Sequence, residues 1–559
     1  MSNLKDSMWA LFYENDAYEM SGDKIMGRQA AGNALLRAYA NSPYNKIGAY
    51  ARNKESFNNF SSNFSELLPN NTNKSISYIP WGNPKGLVNF GGLYYPAPDI
   101  ARFANQRYFF NHSDYSLIGI THTTASEIAI NSLIDCYTSP LKAWDAIICT
   151  SDAVKSSLDG LYNQYYEILN EKLGATKKPD FEMPVIPLGV HLDDYNFDDK
   201  IKIQSREKLG IKENDIVVLF LGRLSFHAKA HYMPMYIALE NVKMNLPKNV
   251  NLHLIQTGWF PNKSIEELYV NDAKEVCPSV ICHFLDGRNY DDKIISYSSS
   301  DIFISMVDNF QETFGLTPLE GMASGLPAIV SDWNGYKGTV RDNLDGFRIE
   351  TVTLKEGGGY DLALRQNLGL DTYDHYIGRA SQSVSINIEE CIERIKILAE
   401  NKELRNKMGK SAKKQAEKFS WENILKMYHD LKIELDNKRN YSKENKQTFL
   451  PPIAIQDPHT FFSSYPTFKI SDNSKVSFSE SNKINLKKFY AYPSITYLDN
   501  IAPELDILNE IYNLLLKIKS CLVSDIINKT SYDKTIILKS VLWLSKYGYV
   551  NIENRNDEK

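Results

Sequence analysis

Short, wholly apolar runs separated by helical stretches recur in two successive series, and no other feature limits the possible folds so strongly. The first series holds Met8-Trp9-Ala10-Leu11-Phe12, Leu117-Ile118-Gly119-Ile120, Ala146-Ile147-Ile148-Cys149 and Pro184-Val185-Ile186-Pro187. The second opens at Asp215-Ile216-Val217-Val218-Leu219-Phe220-Leu221-Gly222. It continues through Asn251 to Ile255, Val280 to Phe284, Asp301 to Val307 and Pro327 to Val330. Continuous apolar runs of about four to eight residues between helices mark parallel strands covered on both faces. The class is therefore α/β. Two series predict two doubly wound domains, each offering a ligand site at the carboxyl ends of its strands. A chain of 559 residues has room for both and for a third, smaller domain.

The stretch Gln311-Glu312-Thr313-Phe314-Gly315-Leu316-Thr317-Pro318-Leu319-Glu320-Gly321 places two carboxylates eight residues apart. Glu312 falls on a turn rich in backbone N–H donors, and Glu320 falls inside the helix that follows. A strand precedes the turn and another follows the helix. A helix N-terminus aimed at such a loop is a ready anion site. Carboxylates beside it suit hydroxyl-rich ligands, whose hydroxyls donate to them. Diphosphate and sugar together point to a nucleotide sugar. The plainer alternative is a capping acid and an ordinary helical acid.

This run closely resembles the E-x7-E signature of the family 4-like retaining glycosyltransferases, which have the GT-B fold of two Rossmann-like domains facing a cleft. The resemblance covers about residues 7–435 and implies that Glu312 contacts the donor sugar and Glu320 the nucleotide ribose. It brings the backbone N–H groups of Phe314, Gly315 and Leu316 to sugar and phosphate. Gly222-Arg223-Leu224-Ser225 follows a strand, and by resemblance Arg223 and Lys229 grip the diphosphate, although Ala230 stands where relatives carry glycine. Gly27-Arg28-Gln29-Ala30-Ala31-Gly32 is similar to the family's N-terminal glycine loop, so Gly27 and Arg28 join the expected donor site. His122 ends a strand, and relatives place a histidine beside the donor sugar; a strand-end histidine satisfied by local hydrogen bonds is the alternative. The segment His283-Phe284-Leu285 is where the base would stack, which adds Phe284. In the retaining, front-face mechanism implied, a leaving phosphate oxygen takes the acceptor's proton. Asp332 is expected to support the turn Asp332-Trp333-Asn334-Gly335. Tyr94-Tyr95-Pro96 and Tyr108-Phe109-Phe110 fit an aromatic platform for a glycan or ordinary core packing equally.

The resemblance implies no metal cofactor, and Asp193-Asp194, Asp198-Asp199 and Asp291-Asp292 do not form an acid–x–acid triplet closing an apolar strand. The domain boundaries expected are 1–200 for the acceptor side, with a helix at 420–436 packing back on it, and 201–419 for the donor side. Residues 351–386 form an insertion, either a lid or a solvated loop. A linker at 437–490 and a module at 491–559, whose element order resembles a winged helix, complete the chain. That module carries eight Lys and Arg against nine Asp and Glu, and the whole chain a net charge of −5. This balance removes the electrostatic drive for nucleic-acid binding. Docking of a protein partner or self-association is expected of it instead. No signal peptide and no apolar run of about 18 residues is present, so a cytoplasmic protein, peripheral at the inner face of a membrane, is expected. The six cysteines form no CxxC pair. The resulting expectation is a retaining glycosyltransferase moving a sugar, a hexose by resemblance, from a nucleotide diphosphate to a glycan or lipid-linked acceptor in surface-glycan or polysaccharide assembly. An enzyme of the same fold that makes small glycosides or uses a glycosyl phosphate is one alternative. A catalytically silent carbohydrate-binding scaffold is another.

Overall fold

The computed structural model describes residues 7–18, 27–70, 72–444 and 456–553, which fall into two compact units divided after Ala454. In the first unit, strands β1 (Ala10–Tyr13), β2 (Lys46–Ala51), β3 (Ser75–Pro80), β4 (Gly92–Tyr94), β5 (Ser116–Ile120) and β6 (Ala146–Ile148) form one sheet. Its order is β3-β2-β1-β4-β5-β6, and every pairing is parallel. Strand β3 alternates polar and apolar residues, β4 is only three residues long, and the apolar run Ile47-Gly48-Ala49-Tyr50-Ala51 of β2 is built largely of small residues, which is why these strands stand out poorly in sequence. The segment Pro184–Pro187, expected as a strand, makes only an isolated bridge between Val185 and Cys149. Proline at both ends removes the N–H donors that a ladder needs.

The second sheet contains β7 (Ile216–Leu221), β8 (Leu252–Gly258), β9 (Ile281–Asp286), β10 (Ile302–Ser305), β11 (Ala328–Ser331) and β12 (Gly346–Ile349). It is also wholly parallel, in the order β12-β11-β10-β7-β8-β9. In each domain a buried arginine–aspartate pair pins the amino ends of the strands. Arg107 makes two bonds to Asp145 at 2.7 and 2.6 Å, and Asp145 also accepts the Leu117 N–H at 2.8 Å. Arg206 meets Asp301 at 3.1 Å, and the same carboxylate oxygen accepts the Val217 N–H at 3.0 Å. Such charges are tolerated inside only because each is paired and hydrogen-bonded. With the amino ends locked, the carboxyl ends are left to bear the ligand loops.

Those carboxyl ends meet. The Thr313 hydroxyl donates to the His122 carbonyl at 2.6 Å, and the Ser151 hydroxyl donates to the Thr313 carbonyl at 2.7 Å. Two Rossmann-like domains thus face one cleft, the GT-B arrangement. Helix Trp421–Glu444 returns to the first domain, where Tyr428 packs on Trp9 and Tyr94 and Arg439 reaches the Gly91 carbonyl and Ser116. It runs past the expected limit of residue 436. In the insertion, β13 (Thr351–Val352) and β14 (Ser385–Ile386) close an antiparallel base, with helices Tyr360–Asn367 and Tyr373–Ser381 between them.

The second unit has a core of its own, built on Ile511, Leu515, Val523, Ile526, Val541 and Leu544. Residues 475–478, placed within the linker by the sequence alone, form β15, the central strand of an antiparallel sheet with β16 (Ser520–Leu522) and β17 (Val550–Glu553). The sheet therefore begins upstream of residue 491. The helices of this unit are Pro458–Phe461, Leu486–Tyr490, Leu505–Ile518, Val523–Lys529 and Lys534–Lys546. Among the described residues no helix is long and apolar enough to cross a membrane.

Candidate functional site

In the second sheet the strand order reverses between β7 and β10, so a crevice opens beyond the carboxyl ends of those two strands. The sequence places Arg223 just past the end of β7 and Glu312 in the loop after β10. Lys229 joins them because the chain turns tightly after Arg223: the N–H groups of Ala228 and Lys229 both donate to the Ser225 carbonyl, at 3.2 and 2.9 Å. The turn brings the Lys229 ammonium onto the Glu312 carboxylate in a mostly buried ion pair. Burial alone would raise the Glu312 pKa. The Lys229 charge and hydrogen bond, with the N–H groups of Phe314 and Thr313, more than offset it and hold the acid below its usual range. Glu312 is ionised at neutral pH.

Among the described residues Arg223 makes one charge-assisted bond, from Nη2 to the Ala228 carbonyl at 2.9 Å, and burial lowers its pKa against the opposing charge of Asp374. A half-buried guanidinium with most of its fork unengaged suits a polyanion. Gly315 opens helix Leu316–Ala323 at φ 86°, and a Cβ there would lie 2.0 Å from the Tyr336 ring. Glycine is required by both conformation and space. The Phe314 N–H, expected at the ligand, is instead engaged by the Glu312 carboxylate, while Phe314 itself is buried against Phe419. Leu316 is the first residue of the helix. Inside it, Glu320 accepts the Tyr297 hydroxyl at 2.6 Å and a second phenol, that of Tyr195.

On the opposite wall, His122 follows β5. Burial, with the Arg28 charge second, lowers its pKa to about 4, while its ring N–H donates to the Pro96 carbonyl. The imidazole is neutral at physiological pH. Arg28 therefore lies in the neighbourhood of His122. Residues 27–32, expected as a loop, instead form the first turns of helix Gly27–Asn41; the segment before it, 19–26, lies outside the described residues. Among the described residues no atom lies within 4 Å of where a Cβ on Gly27 would sit, whereas one on Gly32 would lie 2.2 Å from the Ala17 carbonyl oxygen. The close approach thus belongs to Gly32 and to helix packing.

Phe284, on β9, packs against Phe260 at 6.1 Å. The Asp332 carboxylate lies 3.4 Å from Arg348 on β12, and the side chain that accepts a hydrogen bond at the turn is that of Asn334, from the Tyr336 N–H at 3.2 Å. Tyr95 lies at the carboxyl end of β4 against Phe12 and Arg102, whereas Tyr94 is buried in the core and Tyr108 packs on His112. No cluster of three or more metal-binding side chains occurs among the described residues. Several site residues escape a reading along the chain: Thr313, Ser151, Gln311, Tyr297 and Tyr373. Each is a common polar residue whose partner is remote in sequence, so spacing gives no sign of it.

Two cations and two acids of the second domain and a neutral histidine of the first surround this crevice. Residues 201–356 match the family of glycosyl transferases group 1. A D-inositol 3-phosphate glycosyltransferase of Corynebacterium efficiens is 26% identical over 223 residues, 40% of this chain and 44% of that protein. A sulfoquinovosyl transferase of Arabidopsis thaliana is 24% identical over 185 residues, 33% of this chain and 28% of that protein. The match thus spans less than half the length of these curated relatives. Among solved structures, Anabaena HepE in complex with UDP aligns at 15% identity with a TM-score of 0.48, covering 76% of this chain and 98% of that one. The family match lies within the domain that holds Arg223, Lys229, Glu312 and Glu320.

Proposed function

We propose that this protein is a retaining glycosyltransferase that moves a sugar, a hexose by resemblance, from a nucleotide diphosphate to a glycan or lipid-linked acceptor. The observation that carries this reading is the convergence of Arg223, Lys229 and Glu312 at the strand-order reversal, stitched through Thr313 to the strand end that bears His122. Sugar transfer builds negative charge on the leaving diphosphate, and fixed cations in a partly dry crevice stabilise it. Arg223 and Lys229 supply that charge. Diphosphate draws Lys229 away from Glu312, which frees the carboxylate for sugar hydroxyls, while Glu320 takes the ribose hydroxyls. His122 is neutral with its one N–H on the Pro96 carbonyl, so its other ring nitrogen accepts a hydrogen bond at the sugar and carries no charge to the reaction. The acceptor's proton passes to the leaving phosphate oxygen. The setting is surface-glycan or polysaccharide assembly at the inner face of a membrane, and residues 455–559 act as a docking or self-association module of winged-helix type.

Slow hydrolysis of a panel of UDP, GDP, ADP and dTDP sugars tests the core of this proposal without an acceptor. One donor should be hydrolysed with release of nucleoside diphosphate, and chelation of divalent cations should leave the rate unchanged. Arg223→Ala should lower that rate by the equivalent of about 2–4 kcal/mol, the scale of one preorganised donor. A rate within a few-fold of wild type in a folded variant would remove Arg223 from the site. No hydrolysis of any donor by the intact protein would favour the silent carbohydrate-binding scaffold.

A further inference from the structure

Part of the insertion between β12 and the helix Ile388–Glu400 is packed on the domain: helix Tyr360–Asn367 buries no residue, but the helix that follows it does. In helix Tyr373–Ser381, Ile377 and Ser381 are buried, and the Asn309 amide lies 3.4 Å from the Ser381 hydroxyl. Gly378 packs against His227, with the Asp374 carboxylate 4.0 Å from the His227 ring nitrogen. Asp371, just before the helix, is tied by Arg365 at 2.7 Å and Arg379 at 3.2 Å. The helix is therefore fastened along its length to the turn between Arg223 and Lys229 and to the loop that precedes Glu312.

One side chain of this helix reaches both walls of the cleft. The Tyr373 hydroxyl donates to Gln311 Oε1 at 3.2 Å and lies 3.3 Å from the Thr123 hydroxyl, beside His122. The Gln311 amide nitrogen donates in turn to the Ala228 carbonyl, the same oxygen that accepts from Arg223 Nη2. A continuous line of hydrogen bonds thus runs from Thr123 through Tyr373 and Gln311 to the Ala228 carbonyl and the guanidinium. An arginine held at one nitrogen can swing. When the carbonyl that holds it is itself held, its fork is oriented before the anion arrives, and less ordering entropy is lost on binding.

We infer that Tyr373 is a positioning residue for anion binding: through Gln311 and the Ala228 carbonyl it orients Arg223 toward the diphosphate, and through Thr123 it links that orientation to the opposite domain. The inference rests on the assignment of Arg223 to the diphosphate. Tyr373 touches no reacting atom in this scheme, and its influence passes through Arg223.

Calorimetric titration of the full chain with inorganic pyrophosphate tests it, because that probe carries the diphosphate chemistry whatever the base or sugar. Arg223→Ala should weaken binding about tenfold or more, the scale of a lost charge-assisted pair. Tyr373→Phe keeps the ring and its packing but loses the hydroxyl, and should weaken binding about fivefold, the scale of one net hydrogen bond. In the Arg223→Ala background the same change should cost less than about twofold, because the residue it acts through is gone. Thermal midpoints of Tyr373→Phe and wild type should agree, separating positioning from folding. Unchanged affinity in Tyr373→Phe, or an equal loss in both backgrounds, overturns the positioning role while leaving the Arg223 site intact. Unchanged affinity in Arg223→Ala, or no binding by wild type at about 10 mM, overturns the site assignment and this inference with it.

Discussion

The Lys229–Glu312 pair is held away from most solvent, with side-chain exposures of 19% and 15%. Removing one partner of such a pair leaves a charge without compensation, whereas removing both leaves a cavity of modest polarity. Lys229→Met should therefore destabilise the fold by about 2–4 kcal/mol, and Lys229→Met combined with Glu312→Gln should recover much of that loss. Urea unfolding of the three proteins measures it, and a double variant as unstable as the sum of the singles would mean that the pair is not coupled. Glu312, Gly315 and Glu320 were legible in sequence because they lie within a few residues of one another, on a loop and helix whose local geometry fixes their relation. Arg223 and Lys229 were legible from their place after a strand. The phenols on Glu320 were not, since Tyr195 and Tyr297 come from a crossover segment and a separate helix. Pattern along the chain cannot report a bond made through space.

At the scale of elements, the helix after Ser420 is more deeply built into the first domain than its sequence suggested. Its apolar stripe is visible, but Arg439 looks like a surface charge in a polar tract. In the fold it is buried, donates to the Gly91 carbonyl and Ser116, and pairs with Asp436 at 2.5 Å. Truncation after Asp436 removes Arg439 and leaves the Gly91 carbonyl without that donor inside the domain, which is costly. That protein should aggregate or lose its cooperative thermal transition. Truncation after Ala454 spares the helix and should remain folded, with donor hydrolysis unchanged and transfer to a physiological acceptor or self-association reduced. Light scattering and thermal melts of both truncations decide it; a soluble, cooperative protein ending at Asp436 would contradict the structural role of Arg439. The start of the second unit was obscured for a related reason. Lys475-Val476-Ser477-Phe478 alternates polar and apolar residues over only four positions, too short to stand out from a polar linker, and it becomes a central strand only because two distant strands pair with it.

Across the whole molecule, acid response follows from buried histidines. Burial is the leading cause that lowers His112 and His122 from 6.5 to about 4, and it also lowers His191, His227, His231, His253 and His283. A histidine lowered in the folded state is neutral there while the unfolded chain already binds its proton. Between the two values the unfolded state holds more protons, so stability rises with pH. The contribution is fully present above pH 6.5 and is withdrawn progressively as pH falls toward 4. Asp308 acts in the opposite direction: burial raises it from 3.8 to about 7, so its protonation favours the fold as pH falls through that interval. Burial raises Asp99 as well, so two carboxyls stand against seven histidines, and the net effect is acid lability in a range where most carboxylates remain ionised. Thermal midpoints should be nearly flat at about pH 7–8 and then fall steadily below about pH 6.5. His112→Asn, remote from the crevice, should shallow that decline without altering the plateau. A midpoint that holds constant down to pH 4, or a His112→Asn profile with the wild-type slope, would show that these imidazoles are solvated in the folded protein and that the cleft wall around His122 is more open than its packing indicates.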